Sequence, residues 1–127
     1  MRGLHLIADL LECRCPPARL LDAPGLEDFA LAACQRHGLT VVGRCFHQFR
    51  DAADQPAGVT GTVVLAESHF ALHTWPEISG VTLDIYVCNF SADNSDRARA
   101  LFADAIATFD PQRVETREVT RGELARA

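Results

Sequence analysis

The stretch AESHFALHTWPE, residues 66 to 77, sets a serine between Glu67 and His69, with His73 five positions on and Trp75 and Glu77 close behind. Each of these residues alone reads as an ordinary turn or strand residue, but their density in so short a stretch invites chemistry. A serine activated by a histidine is the nucleophile of a hydrolase, yet that serine usually sits on a strained elbow flanked by glycines, and none flanks Ser68. A metal ion could take His69, His73, His47 and Cys88. Zinc sites, however, announce themselves by paired ligands at short fixed spacings, and Cys13-x-Cys15 is not such a pair.

A third chemistry acts on the chain itself. Attack of the Ser68 hydroxyl on the carbonyl of Glu67 turns the peptide bond into an ester, and removal of the Ser68 α-proton expels that ester by β-elimination. Hydrolysis of the resulting dehydroalanine leaves a new chain that begins with a pyruvoyl group. A pyruvoyl carbonyl forms a Schiff base with a substrate amine and drains electrons from it, as pyridoxal phosphate does. All twelve basic residues are arginine, so no lysine is present to hold pyridoxal phosphate or a substrate carbonyl. The pyruvoyl route needs none.

The elements that must position these groups alternate between strand-like and helix-like. GLHLIADLLEC, LTVVGRCFHQF, VTGTVVLAES, HFALHTW and RVETREVTRGE read as strands, with RDAADQPAG as a polar loop. GVTLDIYVCNF is the clearest strand: Val81, Leu83, Ile85 and Val87 share one face, and Thr82, Asp84, Tyr86 and Cys88 share the other, which has the look of a site. A turn at Glu67-Ser68-His69 would fold residues 59–75 into a hairpin and carry the serine hydroxyl toward a histidine on the returning strand. In one straight strand Ser68 and His73 would face opposite sides. PGLEDFALAACQRHG reads as a helix opened by Pro24 and closed by Gly38. NSDRARALFADAIATF reads as a second, capped by Asn94 or Ser95 and stopped by Pro111, with Ala98, Leu101, Phe102, Ala105 and Phe109 as its buried stripe. Two helices and about six strands imply an α+β fold, a two-layer sandwich with both helices on one face of a mainly antiparallel sheet.

Length and composition narrow the classes. With 127 residues, 48% of them hydrophobic, the chain suits one domain, residues 1–127, around one core. No apolar run approaches the roughly 20 residues that cross a bilayer, and MRGLHLIADLLEC lacks the order of a secretion signal, so a cytoplasmic protein without a membrane partner is expected. Cys13, Cys15, Cys34, Cys45 and Cys88 are odd in number and irregularly spaced, which fits reduced thiols. A net charge of -5 argues against a nucleic-acid partner.

The block E-S-H-x-x-x-H-T-W-P-E at 67–77, with Cys88 twenty residues beyond the serine in LDIYVC, resembles the short prokaryotic S-adenosylmethionine decarboxylase proenzymes. The likeness extends to GLHLIADLLEC, to FHQF and to RGE near the end, with a longer loop around DAADQPAG. The resemblance implies self-cleavage between Glu67 and Ser68 into a β chain of residues 1–67 and an α chain of residues 68–127, with Ser68 becoming the covalent pyruvoyl cofactor and no metal. It implies that His73 assists processing and that Cys88 protonates the substrate after carbon dioxide leaves. A thiol suits that role, because thiols ordinarily hold a transferable proton at neutral pH. Phe49 and Trp75 would hold the adenine-containing substrate and Glu77 its ribose, as aromatic faces stack on bases and attract a sulfonium cation.

The product would be the aminopropyl donor for spermidine synthesis, and the assembly a homodimer with residues of both protomers in each site. Two departures stand out: Thr60 replaces a serine that the family uses in processing, and Ile78-Ser79-Gly80 replaces an aromatic-Gly-aromatic stretch. They leave open a pyruvoyl-dependent ornithine or arginine decarboxylase, and a non-catalytic binding or regulatory homologue.

Overall fold

Alternation in GLHLIADLLEC buries Leu4, Leu6, Ala8 and Leu10 and turns His5, Ile7 and Asp9 the other way, which makes strand β1 (Gly3–Cys13). Alternation recurs in β2 (Val41–Arg50), β3 (Pro56–Leu65), β4 (Ser68–Trp75) and β5 (Gly80–Cys88), whereas β6 (Pro111–Arg121) is an exposed polar strand without it. The structure, a computed structural model, describes residues 2–122, so Glu123 of the RGE stretch lies outside the described residues. The six strands form one sheet in the order β2-β3-β4-β5-β1-β6, and every neighbouring pair is antiparallel.

Helix α2 (Ala23–Arg36) lies over β2 and β3, and helix α3 (Ser95–Phe109) over β1 and β5, so the expected two-layer α+β sandwich is the observed one. Pro24 stands in the first turn of α2, and Gly38, at φ 76°, ends it with the N–H of Leu39 reaching back to the carbonyl of Cys34 at 2.9 Å. Ala98, Leu101, Ala105 and Phe109 are the buried stripe of α3, while Phe102 is only partly covered. The alanines at 8, 30, 33, 98 and 105 are fully buried and let helix and sheet approach closely. Gly61 has a similar use, because a Cβ there would fall 2.1 Å from the ring of Phe46, which lies across it.

A four-residue helix, α1 (Ala18–Leu21), precedes α2 and is too short for periodicity to reveal. It is anchored by Thr74, the one buried polar side chain among the described residues, which accepts from Val59 N–H at 2.9 Å and donates to the Leu20 carbonyl at 2.7 Å.

The β3–β4 turn is a correction to the sequence reading. Leu65 pairs with Ser68, so the bend is the two-residue loop Ala66-Glu67 and not Glu67-Ser68-His69. Ser68 already belongs to β4, and the parity conflict with His73 stays in place. Five residues along a strand put the two about 16 Å apart and on opposite faces. No helix of the described residues is long and apolar enough to cross a membrane.

Candidate active site

The helices cover one face of the sheet and leave the other open, and that open face is polar. Following the register across all six strands, His47, Thr60, His73, Thr82, Asp9 and Glu115 stand side by side in one row. The neighbouring rows add Asp84, then His69, Tyr86 and His5. A polar open face is ordinary for an antiparallel sheet covered on one side, but here it gathers four of the five histidines of the chain. The polar face read from β5 is borne out and extends over the whole sheet.

At the strand end where β4 begins and β5 finishes lies the Glu67–Ser68 peptide, and the Ser68 side chain shares the parity of buried Phe70 and Leu72. The N–H of Cys88 donates to Ser68 Oγ at 3.2 Å, so the hydroxyl is held beside the residue that carries the buried Cys88 thiol. Glu67 has φ 63°, in the left-handed region. Tight hairpins place glycine or asparagine at such positions, and a residue with a longer side chain is strained there by about 1–3 kcal/mol. The Ser68 hydroxyl and the strained residue before it thus meet the backbone of Cys88 at one strand end.

In mid-sheet, Thr60 Oγ1 and His73 Nδ1 are hydrogen-bonded at 2.9 Å across paired strands. The extra methyl of threonine therefore leaves the hydroxyl in reach of its histidine. The chain's own Ser68 is not brought to this pair.

Between these two places sits a network that sequence reasoning missed. His5 Nε2–H and His69 Nε2–H both donate to Asp84 Oδ2, at 2.9 and 2.6 Å, and Arg121 Nη1–H donates to His5 Nδ1 at 3.0 Å. Tyr86 packs edge-on against His5 and carries the Arg121 guanidinium over its ring. Burial alone would raise the Asp84 carboxyl, but the hydrogen bonds from His69 and His5 outweigh it and hold the group below the ordinary carboxylate range. Asp84 was visible on the polar face of β5. Its partner His5 was not, because nothing local in the sequence sets the β1–β5 register.

His5, His69 and Asp84 are also the group whose donor atoms, all within 4.8 Å of one another, could hold a metal ion among the described residues. The Arg121 hydrogen bond opposes that use: it makes His5 Nδ1 the acceptor and leaves the proton on Nε2, the atom a metal would need bare. The set first considered, His47, His69, His73 and Cys88, does not converge.

Phe49, Trp75 and Glu77 gather at the other end of the sheet. Phe49 and Trp75 are 49% and 45% exposed, which removes them from the core. Phe49 packs against His47, and Trp75 Nε1–H reaches Thr82 Oγ1 at 3.5 Å. Glu77 lies in a 3-10 turn, Pro76–Ile78, that ends at Ser79 in a left-handed conformation (φ 49°). Gly58 faces Phe49 across β2 and β3, and its open side is bounded by Thr74 and Pro76, so the aromatic pair and the turn share one rim. A cleft of about 470 Å³ runs from Trp75 and Ile78 to Asp9, Thr82 and Glu115. The rim is about 23 Å from Ser68 along β4, at the usual rise of a strand. Burial pushes the thiols of Cys13 and Cys34 up to about 11 and about 12, so neither is a reactive thiolate near neutral pH.

At one strand end of this two-layer α+β sheet the Ser68 hydroxyl is thus held next to a left-handed Glu67 and the backbone of Cys88. The fold matches the crystal structure of the adenosylmethionine decarboxylase from Aquifex aeolicus, with a TM-score of 0.80, 29% identity, and 94% of this chain and 90% of that one covered. The family model for S-adenosylmethionine decarboxylase matches residues 4–122. Curated relatives named S-adenosylmethionine decarboxylase proenzyme include one from Picrophilus torridus, 38% identical over 94% of this chain and 84% of its own. Another, from Acidithiobacillus ferrooxidans, is 33% identical over 96% and 84%. A longer relative from Pseudomonas aeruginosa is 33% identical over 78% of this chain, and the match spans 58% of its length. The chain belongs to the S-adenosylmethionine decarboxylase family.

Proposed function

We propose that the chain is a self-processing proenzyme that decarboxylates S-adenosylmethionine and supplies the aminopropyl donor for spermidine synthesis. The observation that carries this reading is the hydroxyl of Ser68 held by Cys88 N–H next to a left-handed Glu67. Attack of Ser68 Oγ on the Glu67 carbonyl forms a carbon–oxygen bond and breaks the carbon–nitrogen bond, with the hydroxyl proton passing to the nitrogen. Loss of the Ser68 α-proton then breaks the Cβ–Oγ bond and leaves its electron pair on the Glu67 carboxylate. The dehydroalanine takes up water and releases ammonia, and the α chain, residues 68–127, begins with a pyruvoyl group.

That group supplies a carbonyl able to condense with the substrate amine and accept the electrons of decarboxylation. The chain lacks lysine, so no side chain offers the alternative anchorage. Cys88 is the acid that returns a proton to the substrate α-carbon, as its place beside Ser68 supports. Phe49 and Trp75 stack on the adenine, and Glu77 accepts from the ribose.

The separation of Ser68 and Cys88 from Thr60 and His73 supports a site shared between two copies. A second sheet laid on the open face in the opposite sense would bring Thr60 and His73 of one protomer toward the strand end of its partner, where Cys88 and the Glu67–Ser68 peptide lie. Phe49, Val64, Trp75 and Val119 are exposed on that face and give such a contact apolar area. Free cysteines at 13, 15, 34, 45 and 88 support a reducing, cytoplasmic setting.

The names of the relatives and of the structural neighbour support S-adenosylmethionine over ornithine or arginine. Carbon dioxide release from the three substrates, assayed side by side, tests that choice. Release from the first alone is expected, and release only from either basic amino acid would reassign the substrate. The intact Thr60–His73 hydrogen bond weighs against a non-catalytic homologue.

A further inference from the structure

The Glu67–Ser68 peptide is gripped on both sides by one short segment. On the serine side Cys88 N–H donates to Ser68 Oγ at 3.2 Å, and on the glutamate side Ser91 Oγ–H donates to Glu67 Oε1 at 3.0 Å. The segment that carries both donors is itself tied down. Asn89 N–H reaches the Arg2 carbonyl at 2.7 Å, which anchors it beside β1. Asn94 N–H donates to Asn89 Oδ1 at 2.8 Å, Asn94 Nδ2 to the Cys88 carbonyl at 3.2 Å, and Asn89 Nδ2 to Ser95 Oγ at 3.1 Å. These bonds close the loop on itself and on the first turn of α3, so Ser91 is presented from a braced support and not from a loose tip.

Glu67 needs such a support. Its φ of 63° is a conformation that glycine adopts freely and a residue with a Cβ leaves when it can. Fixing the far end of its side chain restricts that escape. We infer that Ser91 is a positioning residue for self-cleavage, holding Glu67 left-handed so that its carbonyl stays presented to the hydroxyl that Cys88 N–H holds. Ser91 touches neither reacting atom and changes only how often the reactive geometry is populated. Its role ends with the cut, when Glu67 becomes the end of the other chain. The inference rests on the proposed self-cleavage at Glu67–Ser68.

The test compares wild type, Ser91→Ala and Ser91→Thr, following chain splitting by intact mass and then measuring kcat, KM and Tm of the split material. Ser91→Ala should split about ten-fold more slowly or worse, and Ser91→Thr should recover most of the rate. Once split, Ser91→Ala should show the kcat, KM and Tm of wild type. Glu67→Ala removes the other end of the tether, so adding Ser91→Ala to it should slow splitting no further. Splitting of Ser91→Ala at the wild-type rate, while wild type does split, would overturn the role of Ser91 and leave self-cleavage standing. A fall in Tm and turnover that matches the loss of splitting would also overturn it, by making Ser91 generally structural. A wild type that never splits removes the proposed processing and this inference with it.

Discussion

The backbone N–H of Cys88 donates to the hydroxyl of Ser68 at 3.2 Å, joining two residues twenty positions apart at the end of β4 and β5. One strand end thereby carries the atom that starts the proposed processing and the thiol proposed to finish the turnover. The two events share a location but use different atoms, so substitutions should separate them.

Ser68→Ala should remain one chain, because no hydroxyl is left to attack the Glu67 carbonyl. Cys88→Ala keeps the backbone N–H that holds Ser68 and should split normally, yet its turnover should fall by about 10²-fold or more for want of the acid. Gel analysis with a decarboxylation assay reads both. Full activity in Cys88→Ala would remove its role as proton donor.

A shared site predicts complementation. His73→Ala and Ser68→Ala should each fail to split alone, but mixing them under conditions that exchange subunits should restore cleavage of the His73→Ala chain, whose intact Ser68 meets the partner's intact histidine. Mass spectrometry identifies which chain is cut. A mixture as inert as its components would place the whole processing site within one protomer.

Asp84 holds His5 and His69 together, and its carboxyl lies below the ordinary range. A depressed carboxylate contributes stability that is present above its unfolded pKa, about 3.9, and is lost as pH falls through the lower folded value. The Tm difference between wild type and Asp84→Asn should therefore persist above about pH 5 and shrink in more acid solution. A difference that grew below pH 4 would contradict the assignment of charge to Asp84.

Thr74→Val is expected to destabilise the fold by about 2 kcal/mol or more, since the Val59 N–H and the Leu20 carbonyl both lose a buried partner to a group of nearly equal shape. Thermal or urea unfolding measures it. An unchanged Tm would mean that water replaces the hydroxyl.

Local pattern carried much of the fold. The alternation of β1 and β5 and the stripe of α3 follow from side-chain period, and their pairing into a two-layer sandwich follows from having one apolar face each. The site was legible as residue types within one short block. Its arrangement was not, because cross-strand neighbours depend on registers that span most of the chain: His5 meets Asp84 across 79 residues. The hairpin shows the same limit at short range. Moving the bend from Glu67-Ser68-His69 to Ala66-Glu67 keeps Ser68 and His73 on opposite faces, which turns an expected contact within one chain into a reason for two. Ser91 carried no signal, since a loop serine becomes meaningful only when the loop folds back on Glu67.

The central claim is that the protein makes its reactive group from Ser68, and intact-mass analysis of the purified wild type tests it most directly. The account predicts two chains, residues 1–67 and 68–127, with the second beginning in a carbonyl group that borohydride reduces. A single chain that still carries Ser68 as an unmodified serine after long incubation would contradict it.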